Sequence, residues 1–203
     1  MKLHYAPGTI SIAVAIALHE AGLDYTPQKL DFRAGEQRTD AYARINPKGR
    51  VPALETEGTI LTETGAILDY LAARAPGLMP ADPLDAARAR AVMYYLASTM
   101  HVNHAHKMRG SRWADQDSSW QDMAAKVPET MAASAQFVED TCLTGPYILG
   151  ETACIADAYL FVVCTWLPGD GVDLAPYPKL RAFMAAMEAR PSVQTVRGNG
   201  MLP

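Results

Sequence analysis

Apolar and polar positions follow two different rhythms along this chain. Residues 2–5 form a strand candidate, broken by Ala6-Pro7-Gly8-Thr9. Residues 12–21 are rich in alanine and apolar at helical spacing, with Ile12 above Ile16 and Val14 above Leu18. Thr9 or Ser11 is placed to cap that helix and Gly22 to end it. Residues 23–30 read as a second strand, so the opening is strand, helix, strand, which implies a parallel pair. Residues 31–38 are polar loop and 39–45 a short helix. Residues 53–56 and 59–61 read as a hairpin around Glu57-Gly58, a weaker turn signal than Asn-Gly. A third helix covers 63–74, with Ile67, Leu68 and Leu71 as its apolar face.

Pro76, Pro80 and Pro83 then crowd into eight residues, a linker signal. Beyond them only helical spacing recurs. One long helix is predicted over 84–107, another over roughly 119–142, a short and very apolar one over 155–166, and a fourth over 178–189. The tail over 191–203, with Gly198 and Gly200, is expected to be loosely held loop. The expected organisation is therefore a small α/β domain over 1–76 with a four-stranded mixed sheet, a linker over 77–83, and an all-α domain over 84–203.

Composition narrows the function classes. A chain of 203 residues with 49% hydrophobic and 20% charged residues is globular. The net charge of −4 comes with no basic half, which argues against nucleic acid as partner. No apolar run reaches the length of a membrane span. Met1-Lys2-Leu3-His4-Tyr5 lacks the apolar core of a signal peptide. Cys142, Cys154 and Cys164 are odd in number and without metal-ligand spacing, as expected of free thiols in a reducing cytoplasm.

Five stretches carry candidate chemistry. In Asn46-Pro47-Lys48-Gly49-Arg50-Val51-Pro52, two turn signals lead into a proline before a strand. A cis Val51-Pro52 bond would leave the Val51 amide and carbonyl facing outward, able to pair with a small peptide as an added strand does. Tyr5 to Ser11 ends the first strand at a helix start, where unpaired N–H groups and a partial positive charge favour an anion; simple capping by Thr9 or Ser11 is the alternative. Glu63 and Thr64 at the third helix can hold an amino-acid head group, or simply begin the helix. His101, His104 and His106 lack a nearby Cys, Asp or Glu at helical spacing, so groove or surface histidines are expected and no metal. Asp157, three residues after Cys154, reads as the acid of a structural capping box.

In their order and spacing these stretches resemble the cytosolic glutathione S-transferase family, over nearly the whole chain and most of all its bacterial beta class. The motifs are Met1-Lys2-Leu3, Tyr5, Pro7-Gly8, Asn46-Pro47-Lys48-Gly49, Val51-Pro52-Ala53-Leu54, Leu61-Thr62-Glu63, Ala66-Ile67, Tyr70-Leu71-Ala72 and Ile155 to Phe161. The resemblance implies a thioredoxin-like domain joined to a helical domain, usually as a homodimer, with glutathione as co-substrate and no cofactor. It implies that Val51 pairs with the glutathione backbone ahead of cis-Pro52, that Glu63 and Thr64 hold the γ-glutamyl group, and that Arg50 meets the glycyl carboxylate or its surroundings. Tyr5 and Ile10 would adjoin the site, and His101 stands where beta-class members carry a histidine facing the thiol.

Three departures matter. Ile10 occupies the position of the beta-class first-turn cysteine, Cys154 replaces the usual Ser or Thr of the capping box, and the loop lysine after the second strand has no clear match beside Arg33, Gly35 and Arg38. Without a first-turn cysteine a mixed disulfide with glutathione there is impossible. Activation of glutathione's own thiol remains. A thiol with pKa about 8.5 is only a few per cent ionised near neutrality, and lowering it about two units is worth roughly 2.7 kcal/mol. One hydroxyl donating to a thiolate supplies about 1.5–3 kcal/mol and a helix end about 0.3–1. Ser11 is the first candidate, Thr9 the second and Tyr5 the third, with His101 assisting. The expected function is conjugation of glutathione to an apolar electrophile seated against Ile10, the long helix over 100–108 and Trp113, in a detoxification role. A non-catalytic glutathione or apolar-ligand binder is the alternative. A glutathione-dependent isomerase ranks below both, because the Ser-Ser-Cys-Ser run of the zeta class is absent.

Overall fold

A computed structural model describes residues 1–202. Four strands, β1 (Lys2–Tyr5), β2 (Thr26–Lys29), β3 (Ala53–Thr56) and β4 (Thr59–Thr62), form one mixed sheet in the order β2-β1-β3-β4. β1 runs parallel to β2 and antiparallel to β3, and β3 and β4 form the hairpin. Thr56 pairs with Thr59, leaving Glu57 and Gly58 as a two-residue loop, both at positive φ. That is what a tight hairpin requires, and it shows Glu-Gly meeting the need of a primed turn. β2 is exposed throughout, and Pro27 is tolerated there because an edge strand can forgo a donor.

Helix α1 (Ser11–Glu20) connects β1 to β2, and its residues from Ser11 to Leu18 are all buried. It is enclosed because α3 (Thr64–Arg74), α7 (Ile155–Cys164) and α9 (Pro191–Gly198) all pack on it. α2 (Asp40–Ala43) is the short helix before β3. The thioredoxin-like unit and the helices after it thus share one core, and α7, buried along its whole length, stands at its centre.

The predicted long helix is α4 (Pro83–Tyr95) and α5 (His101–Arg109), joined without a break through a widened, π-type turn over 96–100. α6 (Asp117–Phe137) ends in a similar turn, and α8 (Pro178–Glu188) follows α7. Asp82 caps α4, accepting from the amides of Leu84 and Asp85. Glu139 receives the first amides of α8, from Lys179 at 2.9 Å and Leu180 at 2.8 Å. Asp157 is fully buried and bridges the Cys154 and Ile148 amides at 2.8 Å each, the structural role expected of it.

The tail corrects the sequence reading. It is no loose loop: 191–198 are helix, and Met201 and Leu202 are buried. Pro191 is a favoured first helical residue, and so a helix-start signal. Arg190 clamps Glu20 of α1 bidentately at 2.7 and 2.6 Å, and Ser192 donates to the same carboxylate.

Candidate active site

The loop before β3 is fixed by buried polar groups. Asn46 is buried, and its Nδ2 donates to the Arg50 carbonyl at 2.7 Å. The Tyr42 hydroxyl donates to the same oxygen at 2.8 Å. Gly49 has φ +62°, and a Cβ there would lie 3.0 Å from the Gln37 carbonyl, so only glycine fits this turn. With Arg50 pinned, Val51 follows in a defined place. The Val51-Pro52 bond is cis, and the N–H and C=O of Val51 make no hydrogen bond among the described residues.

Two helix starts open beside it. The N-cap of α1 is Ile10, with no side-chain cap, and the amides of Ile10 and Ser11 have no acceptor among the described residues. This corrects the capping expectation for Thr9 and Ser11, whose hydroxyls turn elsewhere. Thr9 Oγ1 donates to the Ala6 carbonyl at 2.8 Å, Ser11 Oγ lies 2.7 Å from Thr9 Oγ1, and the Ala6 amide donates to Ser11 Oγ at 3.2 Å. The N-cap of α3 is Glu63, at φ +70°, a conformation that an ordinary side chain adopts only under tight constraint. Lys48 donates to its carboxylate. The amides of Thr64, Gly65 and Ala66 have no acceptor among the described residues. Both starts thus present free N–H groups and partial positive charge.

The far wall comes from α5 and the turn after it. His101 is largely buried, which pushes its pKa down to about 4, with the charges of Arg109, Arg50 and Arg112 and neighbouring His104 adding to the effect. It is a neutral imidazole at pH 7. His104 stacks on Trp166 at 4.3 Å, and its Nδ1 is 2.7 Å from the buried Asp170 carboxylate. His106 points to another neighbour, edge-on to Trp113 at 4.6 Å. The three histidines therefore have three separate surroundings. Trp166 also reaches back to the first helix turn: its indole N–H donates to the Gly8 carbonyl at 2.9 Å, while the Gly8 amide donates to Met201 at 2.9 Å. Loop 46–52, both helix starts and this wall enclose one cleft of about 990 Å³.

Residues 1–73 match the family model of the glutathione S-transferase N-terminal domain, and residues 105–196 match that of the C-terminal domain. The chain belongs to the glutathione S-transferase family. It is 33% identical to glutathione S-transferase GstA of Escherichia coli O157:H7, over 96% of each chain. It is 34% identical to a maleylacetoacetate isomerase of Pseudomonas aeruginosa, over 95% of this chain and 93% of that one. A solved glutathione transferase homologue from Sulfitobacter, with bound glutathione, superposes with a TM-score of 0.98 at 64% identity, covering 99% of this chain and 98% of that one.

In this member of the family, the cleft wall includes most of the residues singled out from sequence: Thr9, Ile10, Arg50, Val51, Pro52, Glu63, Thr64 and His101. Tyr5 and Ser11 are not on it. Tyr5 is packed into the core, and the Ser11 side chain is fully buried, its hydroxyl drawn back to Ala6 and Thr9. Met100 is likewise fully buried, so the apolar wall is Ile10, Met108 and Trp113. The loop after β2 brings Arg38 and Gln37 to the cleft, and Gln37 Oε1 is buried there without a partner among the described residues. Sequence reasoning missed Gln37, Tyr159, Trp166, Arg109 and Arg112. Tyr159 was hidden inside a very apolar helix; its hydroxyl makes no hydrogen bond among the described residues, and burial pushes its pKa up. Arg109 did carry a signal, since no carboxylate stands three or four residues from it on either side.

Proposed function

We propose that this glutathione transferase ionises glutathione in the cleft and adds the thiolate to an electrophile held by the helical wall. The observation that carries the reading is the unpaired N–H and C=O of Val51 between two uncapped helix starts. The tripeptide backbone pairs with Val51 as an added strand. Its γ-glutamyl carboxylate takes the amides at the start of α3 and its ammonium takes Glu63, while the glycyl carboxylate meets Arg50. The cysteinyl sulfur then falls to the start of α1, where the amides of Ile10 and Ser11 and the Thr9 hydroxyl face it. Thr9 is the preferred hydroxyl because it stands on the cleft wall and Ser11 does not. His101, being neutral, donates or accepts a hydrogen bond rather than pairing with the thiolate as a cation. The electrophile's apolar body rests on Ile10, Met108 and Trp113.

Two other readings have support. The hydroxyls of Thr9 and Ser11 are both engaged, with the Ala6 carbonyl and with each other, which favours a glutathione binder with weak chemistry. The likeness to the Pseudomonas isomerase favours a transferase-fold isomerase, which would use the thiolate and return it. Retention on immobilised glutathione, followed by turnover of a thiol-reactive probe, tests the set. Consumption of one glutathione per product marks a transferase, unconsumed glutathione with turnover marks an isomerase, and retention without turnover marks a binder. Failure to bind glutathione contradicts all three. The domains divide at the proline-rich stretch 77–83, the exposed Leu84 and Tyr94 of α4 fit a homodimer, and the free buried cysteines fit a cytoplasmic setting. Light scattering on the purified chain checks the dimer.

A further inference from the structure

Charge on the cleft wall is lopsided in a chain whose net charge is −4. Its two carboxylates are both engaged, Glu63 by Lys48 and Asp69 by Arg90. Arg38, Arg50, Arg109 and Arg112 line the same cleft and form no ion pair among the described residues. Outside the cleft, Arg33, Arg44 and Arg181 also form no ion pair among the described residues, while Arg74, Arg88, Arg90 and Arg190 each hold a carboxylate; what sets the cleft apart is four such cations on one cleft wall. Three of these cations, Arg50, Arg109 and Arg112, also repel one another. Burial and the Arg50 charge pull the Arg109 guanidinium down, and burial with the charges of Arg50 and Arg109 does the same at Arg112. Such an arrangement costs stability until an anion enters it.

Glutathione does not use all of it. On the reading above, its γ-glutamyl end sits at α3 and its glycyl carboxylate at Arg50, both on the thioredoxin-like side. Arg109 and Arg112 belong to the helical wall, beside the apolar surface of Met108 and Trp113. We propose that Arg109 and Arg112 bind a carboxylate of the second substrate, so that the electrophile is a small organic acid with an apolar body. Planar guanidinium groups suit this, since each can meet both carboxylate oxygens. For an unsaturated acid the chemistry balances without a further reactant. The thiolate sulfur bonds to the alkene carbon β to an activating carbonyl, the alkene pair moves to the α-carbon, and that carbon takes a proton from water in place of the one the thiol gave up.

The proposal rests on the transferase reading, and its test separates the two. The probes are 4-oxo-4-phenylbut-2-enoate and its methyl ester, with kcat/KM for each divided by its uncatalysed rate with glutathione. The acid should be favoured over the ester, and added salt should erode that preference. Arg109→Gln and Arg112→Gln should each lower the acid-to-ester ratio about 10-fold, with Arg→Lys retaining part of it. Thermal midpoint and glutathione affinity are measured alongside, and the salt response of the unmodified protein stands on its own if a variant fails to fold. An ester turned over as well as the acid, or a ratio unmoved in both folded variants, overturns the acid proposal and leaves the transferase standing. No acceleration of either probe defeats the transferase reading and the proposal with it.

Discussion

Thr9 and Ser11, two residues apart, share one chain of hydrogen bonds. Both hydroxyls reach the Ala6 carbonyl, Thr9 at 2.8 Å and Ser11 at 3.3 Å, and they lie 2.7 Å from each other, where either can donate. A thiolate arriving at the start of α1 can draw the Thr9 proton, whereas Ser11 is held from behind. Thr9→Ala should therefore lower kcat/KM for conjugation about 10-fold and raise the pKa of the bound thiol, with little change in urea stability. Ser11→Ala should do the reverse: it orphans the buried Ala6 amide and costs about 1–3 kcal/mol of stability, read from the urea midpoint. His101 adds a pH dependence. Its folded pKa of about 4 lies below the ordinary value of 6.5, so the unfolded chain binds the extra proton between the two. Stability from this group is fully present above pH about 6.5 and falls toward pH 4 by up to about 1.4 kcal/mol per unit. His101→Asn should flatten that limb in urea titrations at a series of pH values. At this scale the sequence shows which hydroxyls and histidines adjoin the site, but not which way each one turns; that depends on Ala6, Trp166 and Asp170, remote or backbone partners that leave no local pattern.

At the scale of elements, the Asp157 box shows how little of a helix's stability is local. Asp157 closes the start of α7 and also anchors Ile148, nine residues back. Burial pushes its carboxyl pKa up, and the two amides pull the other way. Asp157→Ala should cost about 3–5 kcal/mol by urea unfolding, since it orphans two buried amides in the packed centre of the molecule. The box was legible from spacing alone, despite Cys154 in place of a hydroxyl. So were the strands, because the turn residues that bound them, Pro7-Gly8, Gly22 and Glu57-Gly58, are local signals. The continuity of α4 into α5 through a widened turn was legible as one helix, while the turn itself has no marker in residue type. The first turn of α1 was misjudged, because an N-cap was expected from residue type where the fold leaves the helix start open.

Across the whole molecule, the binding turn is clamped by parts of the chain far from it in sequence. Gly8, just before α1, is held on one side by Trp166 and on the other by Met201, and Glu20 at the end of α1 by Arg190 and Ser192. Leu202→Ala should cost about 2–5 kcal/mol of stability through the cavity it leaves. It should also weaken glutathione binding, checked by thermal unfolding and calorimetry. The two-part architecture was readable from the change of rhythm along the chain. The role of the tail was not, since its few apolar residues matter only through what they pack on. The whole arrangement converges on one claim, that the cleft binds glutathione with its sulfur ionised at the open start of α1. The direct measurement is the pKa of the thiol in the complex, by ultraviolet titration of thiolate absorbance with saturating glutathione. The account predicts a value about two units below the free thiol's 8.5 or so, the roughly 2.7 kcal/mol that one hydroxyl and a helix end can supply. A bound thiol titrating where free glutathione does would contradict it.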